Sequence, residues 1–301
     1  MFGLRRRVDQ IPAPVAAPVL DLSGPRLRRA FSDLASAAEP TGGVERYITA
    51  LTLKSALFAE MLTGGAVAEM TEESFLDLAA FITPVRRRVG AELALSGFAP
   101  IRRAILDLVQ GMEDTASTDA RMAAFCETWP QDKAHRWVRD LGAELLHFAD
   151  PGRYPLMTRW VWDARVATGV LREIWHADDI DAVTIDVPDS FLTFATLREE
   201  LDGFLAGEGV YRDRPFMADL MMAHIYAGYI NDAGGQYLRS DFTIEGDPML
   251  HTRRMLGLDA VDTETGRTRL RLVDGTAHVL GGLIPDGPAA LPEPEAPHAD
   301  S

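Results

Sequence analysis

Two residue pairs have a spacing suited to metal chemistry. Glu144-x-x-His147 and Glu173-x-x-His176 each set a carboxylate and an imidazole three positions apart. On a helix the two side chains share one face, and two such pairs in a bundle can hold two metal ions. The stretch that joins them, "ELLHFADPGRYPLMTRWVWDARVATGVLREIWH", decides whether they can meet. Within it "ADPGRYP" is a turn, and Pro155 suits the first position of a new helix. The following residues read as one helix over 155–175 that buries Leu156, Trp160, Val170 and Ile174. A straight helix of that length spans about 30 Å. Ligands of one ion must lie about 2 Å from it. Glu144, His147, Glu173 and His176 are therefore the metal candidates, yet the two pairs are expected not to share a site. The chain is read as holding no metal and no cofactor. Each histidine has a simpler role near a helix C-terminus, where an imidazolium favours the exposed carbonyls.

A second constellation lies in "YRDRPFMADLMMAHIYAGYINDAGGQYLRSDF". His224 sits mid-helix among apolar residues, with Tyr229, Asp232 and Arg239 after it. A histidine near a tyrosine and a carboxylate can act as a general acid or base. The competing reading is a core histidine held by a hydrogen bond. Gly234-Gly235 is no phosphate loop, because no strand, glycine-rich turn and Lys-[Ser/Thr] surround it. Nor does the chain carry G-x-S-x-G, G-x-G-x-x-G or H-E-x-x-H.

A third set interleaves arginines with aromatic rings. Arg136, Trp137, Tyr154, Arg159 and Trp162 combine the side chains that most often anchor protein interfaces. Their alternative is a core in which rings pack between helices and arginines cover them, with Arg159 paired to Asp163 one turn away. From 130 to 176 there are seven basic and six acidic residues, so this is no strongly basic patch. Nucleic-acid binding is accordingly not expected.

These residues need elements to position them. Thr71 caps "TEESFLDLAAFI", with Glu72 and Glu73 at the positive helix end. "TPVRRRVGAELALSG", "APIRRAILDLVQGM" and "WPQDKAHRWVRDLGAELLHF" each have proline where a helix can begin, at Pro84, Pro100 and Pro130. "AVTIDVP" alternates like a strand, and "DSFLTFATLREELDGFLAGEG" is a helix with a glycine stop. "RPFMADLMMAHIYAGYINDAGG" is apolar nearly all round and so belongs inside. In "TRLRLVDGTAHVLGGL", leucines alternate with Arg269 and Arg271, and Asp274-Gly275 marks a two-residue hairpin turn. The fold class that follows is mainly α. An antiparallel helical bundle over 25–178 packs on a smaller α+β portion over 179–283 with a C-terminal β-hairpin. Residues 1–24 read as a flexible arm, and 284–301 as a disordered acidic, Pro-rich tail.

Composition narrows the function. The 301 residues carry a net charge of −15. Residues 1–110 hold 13 basic and 12 acidic side chains, whereas 111–301 hold 17 and 33. Such a field repels phosphate backbones. Cys126 is the single cysteine, which excludes an internal disulfide and a cysteine-built zinc site. No apolar run reaches the roughly 20 residues of a membrane helix, and the proline-broken N-terminus is unlike an export signal. The sequence thus points to a cytoplasmic accessory or adaptor protein that binds another protein. The alternative is an enzyme with an acid/base pocket around His224, Tyr229, Asp232 and Arg239.

Overall fold

The computed structural model describes residues 16–233, 247–262 and 265–281. The fold is mainly helical, with one small antiparallel hairpin near the C-terminus. Helices α1 (Gly24–Ala38), α2 (Gly43–Leu62), α3 (Glu72–Ala80), α4 (Val89–Ser96) and α5 (Phe98–Val109) come first. They are followed by α6 (Thr118–Glu127), α7 (Trp137–Ala149), α8 (Val170–Glu173), α9 (Phe191–Gly207), α10 (Arg214–Ala233) and α11 (Leu250–Met255). Strands β1 (Arg267–Arg271) and β2 (Ala277–Val279) close the described chain.

Local chemistry explains most of these helices. Thr71 Oγ1 accepts from the Ser74 amide at 3.1 Å and so caps α3. In α5, Ile101, Ala104, Ile105 and Leu108 fall on one face and are buried. On the outer face Arg103 pairs with Asp107 at 3.0 Å. The proline-based starts need adjustment. Pro84 lies in a turn and Pro130 in irregular chain, with α4 opening at Val89 and α7 at Trp137, while Pro100 sits in the first turn of α5.

The centre is built by α10 and α7. Helix α10 packs on α1, α2, α8, α9 and α11, and α7 packs on α2, α5 and α6. Leu220, Met221 and Ala223 are fully enclosed, as the all-round apolar pattern of α10 requires. The buried side chains form one continuous cluster from Leu20 to Leu270.

The helix expected over 155–175 is not there. Residues 155–169 form an irregular, largely buried segment, and only Val170–Glu173 is helical. The amides of Val170 and Leu171 donate back to the carbonyls of Trp160 and Val161, at 3.0 and 3.1 Å, closing a tight loop. Gly169 makes the closure possible. Its φ is 129°, and a Cβ there would lie 2.6 Å from the Val161 carbonyl oxygen. The strand expected in "AVTIDVP" is extended and unpaired, although Ile185 and Val187 are buried in alternation. Its Val187 carbonyl is held by Trp162 Nε1 at 2.9 Å.

The described end of the N-terminal arm is pinned. The Ser23 amide donates to Ile174 O at 2.8 Å, and the His176 amide to Asp21 O at 2.7 Å. The hairpin forms with Arg271 opposite Ala277, so five residues, not two, join its strands. Asp274 Oδ1 accepts from the Thr276 amide and hydroxyl, at 2.9 and 2.6 Å, and shapes that loop.

Candidate functional site

Glu144 and His147 do share one face of α7, as their spacing requires, but each has a separate buried partner. Glu144 Oε2 lies 2.8 Å from Lys54 Nζ on α2. The same ammonium donates to Phe81 O at 3.0 Å and Leu256 O at 2.9 Å. Those two carbonyls end α3 and α11, where the helix dipole is negative. The Phe148 ring face, 3.8 Å from Nζ, adds a cation–π contact. Burial pulls the Lys54 pKa down, and the Glu144 carboxylate opposes it. Burial likewise pushes Glu144 up against the pull of Lys54. Two carbonyls, a carboxylate and a ring face all favour a positive nitrogen, so we assign the ammonium–carboxylate pair.

His147 is equally committed. Its Nδ1 lies 2.8 Å from Tyr154 O, and its Nε2 lies 2.8 Å from Asp219 Oδ2 on α10. A carbonyl only accepts, so Nδ1 carries a hydrogen and donates. A further proton must then lie on the Nε2–Oδ2 line. This pair joins α7 to α10, one turn after Lys54–Glu144 joins α7 to α2. Glu173 and His176 lie elsewhere, at the end of α8 and just beyond it, where His176 is exposed. The straight-rod argument for their separation does not hold, because the rod is broken. His147 is buried against Asp219, whereas His176 is exposed with its amide on Asp21 O. Among the described residues, no three His, Cys, Asp or Glu side chains gather as metal ligands.

The second constellation is also dispersed. His224 Nδ1 lies 3.1 Å from the Thr252 hydroxyl of α11, which is fully buried. Burial lowers the His224 pKa, with Asp33 a smaller opposing influence. Tyr229 faces another way, with its ring 5.8 Å from Tyr226, whose ring lies tilted 6.0 Å from Trp160. The Asp232 side chain and the whole of Arg239 lie outside the described residues.

The third set needs correction as a contact surface. Trp137, Tyr154 and Trp162 are core residues, with Tyr154 and Trp162 at 0% exposure. Trp137 packs edge-on to Trp129, and the Tyr154 hydroxyl is hydrogen-bonded to Arg121 and Met112 O. Arg159 does not pair with Asp163. Its amide and guanidinium bind Asp140 of α7, with Nη2 at 2.7 Å. Arg136 is half-buried at the start of α7. The three rings of this set are taken up by packing.

The site that sequence reading missed is an arginine-lined groove of about 480 Å³ between the hairpin and the turn before α4. Arg86 and Arg87 line one side, Arg269 and Arg271 of β1 another, and Arg254 at the end of α11 completes it. The Arg271 amide donates to Arg86 O at 3.0 Å, which docks β1 on the turn. Only glycine permits this approach, since a Cβ on Gly90 would lie 2.4 Å from Arg271 O. The Arg269 amide donates to Ala260 O at 2.8 Å on the other flank.

Asp259 is the anchor beneath. Arg86 holds it with both nitrogens, at 2.8 and 3.1 Å, while Arg269 and Arg254 stand 3.6 and 3.7 Å away. Burial pushes the Asp259 pKa up, but the Arg86 bond and the three guanidinium charges outweigh it and hold it below the ordinary value. One carboxylate thus orients three arginines. Arg87 and Arg271 are exposed and have no carboxylate partner among the described residues.

The described lining contains no histidine, cysteine or aromatic ring. Thr268 and Thr276 already donate their hydroxyls, to His278 O and Asp274. The groove is thus equipped to bind an anion rather than to transfer a proton. Its arginines come from "TPVRRRVG", "HTRRML" and "TRLRLV", and only alternation in the last was visible in sequence. Among the described residues, no helix is long and apolar enough to cross a membrane. No family model matches this chain, and neither the curated proteins nor the solved structures contain a match to it.

Proposed function

We propose that this chain is an accessory or adaptor protein that works by binding another protein, with the arginine-lined groove as its contact surface. The supporting observation is charge contrast. A chain of net charge −15 collects five arginines around one groove, over a single anchoring carboxylate. Concentrating one sign of charge in a concave surface steers and selects a complementary partner. Arginine suits this work because its fork binds carboxylates through two parallel hydrogen bonds.

Protein is preferred to nucleic acid on two grounds. The described lining offers no ring on which bases can stack. A long polyanion would also extend past the groove into the field of an acidic protein.

The test is affinity capture from the native cell with the tagged full chain and an Arg87→Glu/Arg271→Glu variant in parallel. Both side chains are exposed, so the variant should keep the parent melting temperature. The expected result is one partner retained in near-stoichiometric amount by the parent, released by salt and absent from the variant. Equal recovery of that partner on both chains would remove the groove from the contact surface.

A further inference from the structure

We infer that the groove recognises an extended acidic segment of its partner, with carboxylates at every second residue, lying along β1. This rests on the groove being the contact surface proposed above.

The spacing of the arginines carries the inference. β1 alternates exposed and buried residues, with Arg267, Arg269 and Arg271 all on its exposed face. Same-face residues of a strand recur about every 6.8 Å. An extended peptide lying alongside repeats its own same-face residues at that interval. A register irregularity against β2 falls between Arg267 and Arg271, and Arg267 does not line the groove, so the row there is Arg269 and Arg271. Acidic residues at positions n and n+2 of an extended peptide face these two. Contiguous acids in an extended chain point alternately toward the arginines and away from them. A helical ligand repeats every 5.4 Å per turn and drifts out of step.

The neighbouring charges favour the same ligand. Arg86 is taken up by its two bonds to Asp259, so it serves as a fixed floor. Arg269 is oriented by the same carboxylate yet remains more than half exposed, with 57% of its side chain accessible. Arg267 and Arg271, like Arg87 across the groove, have no carboxylate partner among the described residues. The result in the groove is Arg269 and Arg271 along the strand with Arg87 across from them, whereas a single phosphate would engage only one or two of the three. At about 480 Å³ the groove is within the range of preformed ligand sites.

The test is fluorescence anisotropy on the full chain with two labelled peptides of equal composition. One alternates glutamate with alanine, and the other places the same glutamates in one block flanked by alanines. The alternating peptide should bind at least about fivefold more tightly at low salt and weaken as salt rises. Arg271→Ala should bring the two affinities closer together, whereas Arg267→Ala, outside the groove lining, should leave their ratio unchanged. Equal affinities would overturn the alternation while leaving an anion-binding groove in place. A single-stranded oligonucleotide of matched charge that binds more tightly than either peptide would overturn the choice of a polypeptide. If neither peptide binds, the acidic-segment inference fails, and the capture experiment with the Arg87→Glu/Arg271→Glu variant decides separately whether the groove contacts a partner at all.

Discussion

Lys54 and Glu144 form an ion pair in the centre of the protein, 2.8 Å apart, with side-chain exposures of 0% and 3%. The chain has only two lysines, and one of them is fully buried. Three acceptors match its three N–H groups, so nothing on the ammonium is left unsatisfied. Four segments meet at one nitrogen: α2, the ends of α3 and α11, and α7. Removing either partner leaves the other as an uncompensated buried charge, which costs about 3–5 kcal/mol, whereas replacing both with apolar residues of similar volume is often near neutral. Lys54→Met should therefore lower the unfolding free energy by that amount, and Lys54→Met/Glu144→Leu should recover part of the loss, because the Phe81 and Leu256 carbonyls stay without their donor. Urea denaturation measures both. A single variant within about 1 kcal/mol of the parent would mean that the pair is not sealed from water.

Trp162 should behave as core and not as an interface anchor. It is fully buried, and its indole N–H is bonded to Val187 O. Trp162→Ala removes a large ring and leaves that carbonyl without its donor, so a loss of about 3–5 kcal/mol is expected. Partner capture, measured below the lowered melting temperature, should be retained. Loss of capture with unchanged stability would return Trp162 to the contact surface.

The stability of the chain should carry a pH signature from His224. Burial lowers its pKa in the folded state below the ordinary 6.5. Between the folded value and 6.5, the unfolded chain binds a proton that the folded chain does not. Stability therefore falls as pH drops through about 6.5 and levels off below the folded pKa, with a slope of at most about 1.4 kcal/mol per pH unit for one proton. His224→Gln should flatten this part of the curve, with Thr252 still able to find a polar partner. His251 is shifted in the same direction by burial and Arg254, so its own Gln variant should remove a separate portion of the slope. Parallel curves for the parent and His224→Gln would show that the imidazole titrates freely in both states.

What the sequence revealed follows from which interactions are local. The hairpin was legible because alternation along "TRLRL" and the Asp274-Gly275 turn lie within a few residues. Helices α3, α5, α9 and α10 were legible from caps, stripes and glycine stops. The segment 155–169 was misread because Trp160, Trp162 and Val161 satisfy a helical stripe equally well as a packed loop. Only the closure of the loop on itself, with Gly169 set against the Val161 carbonyl, separates the two outcomes. The Glu144–His147 spacing correctly placed both groups on one face. It gave no hint of Lys54 and Asp219, which lie 90 and 72 positions away in the chain. The groove was hidden for the same reason, since its arginines come from three stretches that no periodicity connects.

Gly257 provides the sharpest check on how the central node is assembled. Lys54 needs the carbonyls of Phe81 and Leu256 side by side, and Gly257 immediately follows Leu256. Its φ is 70°, and a Cβ there would lie 1.7 Å from Phe81 O. A side chain would meet both a strained backbone region and a rigid carbonyl, and would force apart the two helix ends that Lys54 joins. Gly257→Ala should destabilise the fold by more than about 2 kcal/mol. Gly203 is the control, because it lies within α9 with open space around it. Gly203→Ala should stabilise by about 0.5–1 kcal/mol through helix propensity alone. If the two substitutions give similar melting temperatures, the close approach of α3 and α11 is wrong, and with it the threefold coordination of the Lys54 ammonium.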